Sequence, residues 1–427
     1  MTAASPVAAP IASDLGVAER KSLRAARIRG VVVAAVGLLC LRLATETMDT
    51  LATFSLWIDQ QGGSAATLET SSGVYWIVAG VAAGLIGILQ LVRGSSFPWR
   101  RSLFILLPLL IAAILGTLLA GKPANLTGVF AGSFELAVPI TLGAFAGILS
   151  ERSGMFNIAI EGKFLIGACT AAVVASVTAN ALVGVAAAII AGALVGYLLA
   201  WLGIRHGVDQ IISGVVVNIG ALGVTNFLFL RVLGLNTELN TPPSIEAIQI
   251  PVLSGIPVLG PLLFSGTPYL YFTIGCMFFL TYMLFRTRWG LRLRASGEKP
   301  SAAGTVGIDV LKIRYQAMIL GGMLAGLAGS YLSLSSAGSF QMGMSAGRGF
   351  IALAAVIFGA WHPIYAFGAA LVFGFSDATQ ALLSILGVDV PPQLLNSVPY
   401  IVTIVVVAGV VGRVRGPAAA GQPYDQG

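Results

Sequence analysis

Charge is what this sequence has least of. Only 10% of its 427 residues are Asp, Glu, Lys or Arg, 57% are apolar, and the mean hydropathy is +0.91. A domain that folds in water carries about 25% charged residues to keep its surface wet, so a water-soluble globule is excluded. Histidine is nearly absent, with His206 and His362 alone, and both sit at the ends of apolar runs. The three cysteines, Cys40, Cys169 and Cys276, each lie inside such a run. They read as small buried hydrophobes, neither a disulfide framework nor a metal set. The HExxH pattern and paired Cys or His ligands are missing, and no nucleophile or carboxylate pair can be assembled within facing apolar segments, so neither catalytic residues nor a metal site are expected.

What is there is a succession of apolar runs long enough to cross a bilayer, which takes about 20 residues each. Twelve are expected, near 30–50, 73–92, 103–121, 131–149, 155–179, 182–204, 208–234, 269–286, 314–335, 346–360, 363–386 and 394–412. The fold class is an all-α integral membrane protein of about twelve transmembrane helices. Its 53 glycines are scattered through the apolar runs, as suits helices that approach closely in lipid. In the first run Arg42 and Glu46 stand four apart and can pair on one helix face. Arg20, Lys21, Arg24, Arg27 and Arg29 precede that run, but Arg42, Glu46 and Asp49 follow it where a signal peptide would have its small-residue cleavage site. An uncleaved first anchor is expected.

The net charge of +7 comes from residues placed in short connections, which orients a membrane protein and does not point to nucleic acid. The tail before residue 30, the connections at Arg93–Arg101, Arg205 and Arg286–Arg314, and the end at Arg413–Arg415 fall on one side if there are twelve spans. The connection Leu235–Pro268 has neither Lys nor Arg and falls on the other. Both termini are therefore expected in the cytoplasm. The division expected is a tail at 1–29, extra N-terminal spans at 30–102, a core of ten spans at 103–412 and a tail at 413–427.

Gly116–Lys122 has the G-x-x-x-x-G-K spacing of a phosphate-binding loop, but Pro123 stands where Ser or Thr must hold magnesium, so an ATP site within the chain is not expected. The informative polar stretch is Leu149–Gly162, LSERSGMFNIAIEG, in which Glu151, Arg152, Asn157 and Glu161 interrupt apolar sequence. Asn157 and Glu161 share a helix face. A carboxylate within a span turns to a partner or a watery cavity, so they line a substrate path or hydrogen-bond between helices. Asn218 and Arg348 are further in-span polar residues, each with a helix-to-helix bond or a snorkelling side chain as the plainer reading. Phe156 could stack on a planar ligand. In the loop Arg286–Arg314, Glu298-Lys299-Pro300 followed by Ala302, Ala303 and Gly307 predicts a short helix, with Pro300 in its first turn and Gly307 ending it. Leu235–Pro268, rich in proline and apolar residues, is expected to lie as short elements at the opposite face. Ser153-Gly154, Ile158-Ala159 and Gly167-Ala168 are echoed by Ala346-Gly347, Ile351-Ala352 and Gly359-Ala360, which suggests an inverted repeat.

Four ordered stretches, SERSGMFNIAIEGKFLIGA, DQIISGVVVNIGALGVTNFL, GLRLRASGEKPSAAGTVGIDVLKIRY and SAGRGFIALAAVIFG, together resemble the branched-chain amino acid and sugar type of ABC importer permease, in its nucleoside branch. The match runs from about Phe134 to Arg415. The resemblance implies a bacterial cytoplasmic membrane protein that moves nucleosides by alternating access. It implies a second homologous permease, an ABC ATPase that holds the ATP and magnesium, and an extracytoplasmic substrate-binding lipoprotein as partners, with no cofactor in this chain. It places Asn157 and Glu161 on the substrate pathway, and Phe156, Asn218 and Arg348 are expected to line it with them. Glu298, Lys299, Ala302, Ala303 and Gly307 would meet the ATPase. The sequence departs from the family pattern in its first 100 residues, at Lys163, and at His362 with Ile364-Tyr365. Simple sugars or branched-chain amino acids as cargo, and ion-coupled transport, remain open alternatives.

Overall fold

The computed structural model describes residues 12–58, 64–388 and 415–424, with 390, 391, 393, 394 and 397 between them. Its described part is dominated by helices, ten of them long and apolar enough to cross a membrane. The chain divides into two compact units, residues 1–126 with 383–389, and residues 127–382 with 390–427.

The first unit holds α1 (Ala12–Glu46), α2 (Ser72–Arg93) and α3 (Trp99–Leu118). The basic stretch from Arg20 to Arg29 is helical and continuous with the first expected span. Helices α1 and α2 pack through small residues. A Cβ on Gly37 would lie 2.7 Å from the Gly84 nitrogen, and one on Gly87 2.6 Å from that of Ala34. Arg42 and Glu46 do pair, at 3.4 Å, but both are mostly exposed, so the pair adds little stability. Two strands not expected from the sequence, β1 (Leu51–Ile58) and β2 (Ser64–Ser71), form an antiparallel ribbon between α1 and α2. Strand β3 (Pro123–Asn125) joins β1 in parallel. Residues 116–122 run from the end of α3 towards β3, the reverse of the strand-to-helix order of a phosphate loop. Lys122 donates to the carbonyls of Leu386 and Gly387 at 2.7 and 2.8 Å. The third helix, assigned to the core by sequence, groups with this unit.

The second unit contains α4 (Leu126–Arg152, from Thr127), α5 (Ile160–Thr178), α6 (Ala181–Arg205) and α7 (Gln210–Leu228). A connection that holds α8 (Leu259–Leu263) follows, and after it come α9 (Pro268–Arg286), α10 (Arg288–Glu298), α11 (Pro300–Thr305), α12 (Val310–Tyr331), α13 (Arg348–Phe358) and α14 (Pro363–Ile385). The connection is, as expected, built of short elements, including α8 and the paired strands β4 (Ile248–Gln249) and β5 (Ser265–Gly266). Helices α4 and α12 are apolar on all sides because they form the centre. Of their most apolar stretches 67% and 78% is buried, against 28% for α6 and 22% for α7, whose apolar faces are left open to lipid. The expected span at 394–412 lies largely outside the described residues.

The expected span 346–360 is not a full crossing helix. Only α13 is helical there, and 11 residues reach roughly 16 Å, about half a bilayer core. Gly338, Gly343, Ala346 and Gly347 all adopt positive φ and hold residues 337–347 in irregular turns, so an apolar run long enough to span is bent out of helix. The expected repeat is matched only in part. Gly154 and Gly347 both have positive φ, but Gly154 opens its interruption whereas Gly347 closes its own, and Ile158-Ala159 precedes its helix whereas Ile351-Ala352 lies within one.

Helix α12 is held by glycine contacts. A Cβ on Gly326 would lie 2.1 Å from the carbonyl oxygen of Ala188, one on Gly322 2.3 Å from that of Gly192, and one on Gly329 2.3 Å from that of Phe164. Backbone meets backbone along α5, α6 and α12, the arrangement by which helices associate where lipid removes any hydrophobic drive. Gly326→Val is expected to destabilise the detergent-solubilised protein by ~1–3 kcal/mol through overpacking. Gly220→Ala and Gly223→Ala, which meet open space, are expected to be neutral or slightly stabilising. Thermal unfolding of the three variants checks this.

Candidate functional site

Helix α4 ends at Arg152, and the chain then leaves helical geometry until Ile160. Gly154, at φ +93°, makes the turn, and the amides of Ser153 and Met155 both return to the Ser150 carbonyl. Backbone left non-helical among apolar helices must find partners within the protein. Helix α7 supplies them. Gln210 Oε1 accepts the Phe156 amide at 2.7 Å, Asn218 Oδ1 accepts the Gly162 amide at 2.7 Å, and Asn218 Nδ2 donates to the Ile158 carbonyl at 3.0 Å. Gly162 is one of the orphan amides of the first turn of α5. Asn218 therefore closes the interruption on both sides at once.

The side chains of the interruption form a second set of bonds. Lys163 is fully buried, and its Nζ donates to Asn157 Oδ1 at 2.6 Å. Asn157 Nδ2 donates in turn to Ser150 Oγ at 3.1 Å. Lys163 thus joins an amide; among the described residues no carboxylate pairs with it. Glu161, in the first turn of α5, faces the other interruption. Its Oε1 accepts from Ser345 Oγ at 2.6 Å and the Gly347 amide at 2.8 Å, and its Oε2 from the Gly349 amide at 2.7 Å. The carboxylate caps the N-terminus of α13, where the helix dipole and free amides both favour a negative charge. Gly349 makes the approach possible, since a Cβ there would meet the Glu161 backbone at 2.5 Å.

The five residues expected on a pathway are thus distributed as follows. Asn157, Glu161 and Asn218 belong to one polar joint between α4, α5, α7 and α13. Their polar atoms already hold partners within the chain. Phe156 lies at the edge of the joint against Gly421 of the C-terminal segment, and no ring is stacked on it among the described residues. Arg348 points to a different neighbour, with its Nε 3.7 Å from Asp377 Oδ2 on α14. Glu151 and Arg152 brace the end of α4 against the α13–α14 turn. Glu151 accepts from the Trp361 indole, and Arg152 Nε donates to the Trp361 carbonyl at 3.1 Å. His362, beside them, is stacked on Phe285 at 4.8 Å, and burial, aided by Arg152, lowers its pKa.

Sequence reading missed Ser150, Gln210, Ser345, Gly347 and Gly349, most of which act through a hydroxyl or a backbone amide. It also gave little weight to the surroundings of Asp377. Next to it in the chain, Ser376 and Thr379 on α14 have buried hydroxyls with no hydrogen-bond partner among the described residues, as has Thr141 on α4. Helices α4, α13 and α14 pack pairwise through glycine. Gly143 meets Ala352, Gly374 meets Ser133 and Ala137, and Gly359 meets Ala366.

The expected short helix in the loop Arg286–Arg314 is α11, with Pro300 in its first turn and Gly307, at φ +81°, just beyond its end. Glu298, Lys299, Ala302 and Gly307 are exposed, while Ala303 is buried beneath them. The preceding helix α10 docks on the α4–α5 turn. Ser296 Oγ donates to the Ser153 carbonyl at 2.9 Å, and Gly297 lies so close to Arg152 that a Cβ would fall 2.3 Å from its carbonyl oxygen.

Residues 135–407 match the family of branched-chain amino acid transport system permease components. The chain belongs to this family of ABC transporter permeases. It is 40% identical over 312 residues to the guanosine ABC transporter permease protein NupQ of Bacillus subtilis, covering 68% of this chain and 94% of that one. It is 35% identical to the nucleoside ABC transporter permease protein NupC of Lactococcus lactis, over 67% of this chain and 93% of the relative. It is also 31% identical to a putative glucose ABC transporter permease protein, TsgC13, of Haloferax volcanii, over 70% and 98%. No solved structure matches the chain.

The joint makes specific demands on its members. Asn218→Ala strands the Gly162 amide and the Ile158 carbonyl and is expected to cost ~1–3 kcal/mol. Glu161→Gln turns a donor towards amides that need an acceptor and is expected to cost at least as much. Lys163→Met removes a buried cation that has one neutral partner, and is expected to leave the unfolding midpoint unchanged or higher. Thermal unfolding of the three variants in one detergent checks the order.

Proposed function

We propose that this chain is the membrane-spanning permease subunit of an ATP-driven importer of nucleosides. It works in the bacterial cytoplasmic membrane beside a second homologous permease, an ABC ATPase and an extracytoplasmic substrate-binding lipoprotein. The observation that carries the reading is the 40% identity to a guanosine permease across nearly all of that relative's length. The ATP and magnesium belong to the partner ATPase, and this chain uses no cofactor of its own. Both termini and α11 face the cytoplasm, following the basic connections.

The geometry supports a division of labour. The segment around α11 exposes Glu298, Lys299, Ala302 and Gly307, and Ala303 seats the helix, as a surface that receives the ATPase. Alternating access then needs an element with two arrangements. The interruptions at 153–159 and 337–347 are the places where backbone geometry can change without unwinding a full helix. The substrate passes along α4, α13 and α14, where Arg348, Asp377, Thr141, Ser376 and Thr379 offer donors and acceptors for ribose hydroxyls and base edges. Asn157, Glu161 and Asn218 set the shape of that passage from behind, and Phe156 borders it.

A sugar as cargo is the second reading, favoured by the likeness to the putative glucose permease. A strain lacking this chain, complemented with it, is expected to take up labelled guanosine or uridine, with unlabelled nucleosides competing and ribose, glucose and leucine failing to compete. Competition by glucose or leucine alone would replace the nucleoside assignment. Uptake that survives ATP depletion but collapses with the proton gradient would overturn the ATP-driven mechanism. Glu298→Lys and Gly307→Pro, the latter forcing φ from +81° to about −65°, are expected to abolish co-purification with the ATPase. Retained co-purification and uptake would move the contact elsewhere.

A further inference from the structure

Resting on that assignment of α11 as the surface that meets the ATPase, we propose that the C-terminal segment 416–424 is a positioning element of the coupling apparatus. It holds α10 and α11 in register with the α4–α5 interruption. The segment has no regular secondary structure, yet it touches α10, α11, α12, the α4–α5 interruption and the α13–α14 turn. Gly416 lies against Trp361 in the α13–α14 turn, where a Cβ would come within 3.0 Å of the indole. The Ala419 amide donates to the Gly297 carbonyl at the end of α10 at 2.8 Å, and the Gly421 amide to the Gly154 carbonyl at 3.0 Å. Gly421 also abuts the ring of Phe156. Tyr424 reaches α11, where its hydroxyl lies 2.5 Å from the place a Cβ would take on Gly304.

Helix α12 supplies the anchor. Arg314 is buried, with 1% of its surface exposed, and no carboxylate pairs with it among the described residues. Its Nη1 donates to the Gln422 carbonyl at 3.0 Å, and its guanidinium stands 5.9 Å from the Tyr424 ring. Its Nε and Nη2 have no hydrogen-bond partner. A buried cation is costly unless it is bonded, and here its one hydrogen bond goes to the tail. A surface filler would need one neighbour. This segment makes backbone bonds to two elements that must move together, and closes them on a third through a buried charge.

The experiment uses the whole complex in proteoliposomes, with binding protein and labelled nucleoside, and reads uptake per ATP hydrolysed. Gly304→Ala, which displaces Tyr424, Tyr424→Ala and a chain ending at Arg415 are each expected to lower that ratio about tenfold or more. Co-purification with the ATPase and the unfolding midpoint are expected to stay as in the parent chain. Tyr424→Phe, which keeps the ring, is expected to couple normally. A ratio within about twofold of the parent for Gly304→Ala and Tyr424→Ala would overturn the proposal. So would losses that only track a falling midpoint, since the segment would then be a structural plug. If the truncated chain does not assemble, the two point variants decide. A parent complex that moves no nucleoside refutes the proposed function instead, and is distinguished by being silent before any variant is made.

Discussion

Breaking a helix among apolar neighbours strands backbone amides and carbonyls that water cannot reach, and each one left unpaired costs about as much as a lost hydrogen bond. The second unit contains two such breaks, and its arrangement depends on how they are satisfied. Asn218 and Gln210 bring α7 against the first break because only side chains from a neighbour can serve the Phe156 and Gly162 amides and the Ile158 carbonyl. Glu161 draws α13 against α5 because the start of a half-length helix presents amides that a carboxylate accepts. The places of α7 and α13 follow from these bonds more than from their apolar faces, which fit lipid as well as they fit protein.

The glycine contacts complement this. Along α5, α6 and α12 backbone lies on backbone with no side chain between, so these helices cannot slide without collision. Packed interfaces of that kind are bistable at best, not continuously deformable. The polar joint is a different material: hydrogen bonds to backbone can be exchanged for others over a short displacement. Under the proposed function, the rigid block is α5–α6–α12, and the changes of access are carried at the two interruptions, 153–159 and 337–347.

How much of this was legible in sequence follows from the physics of each feature. Long helices announce themselves through uninterrupted apolar length, and the ten full-length crossings among the described residues coincide with expected runs, from α1 to α14. Apolar length says nothing of where a run is bent, so 346–360 looked like a span although Ala346 and Gly347 turn the chain before α13 begins. The ribbon of β1 and β2 was overlooked because its residues separate two strong helical runs and carry no span signal. Within the site, Asn157, Glu161 and Asn218 were visible as polar residues in apolar surroundings. Ser345, Gly347 and Gly349 were not, since a backbone amide has no letter. Gln210 follows the capping Asp209, and nothing in its position distinguishes it from any first residue of a helix, while the tail after Arg415 carries too little charge or apolar pattern to suggest docking.

The distance between the exposed face of α11 and the joint is short in covalent terms, and this decides how a push from outside the membrane could reach the break. Helix α10 ends at Glu298, its Ser296 and Gly297 rest on Ser153 and Arg152, and Asn157 lies four residues beyond Ser153. No long relay of side chains is needed. A displacement of α11 moves α10 with it through the single linking residue Lys299, and α10 bears directly on the turn whose geometry the Gly154 φ of +93° defines. Because Asn157 ties that turn to Lys163 and Ser150, and Glu161 ties α5 to α13, movement at the turn reaches both breaks through bonds one residue apart or less from the backbone. The joint therefore lies, in bonded steps, between the proposed driving surface and the proposed passage.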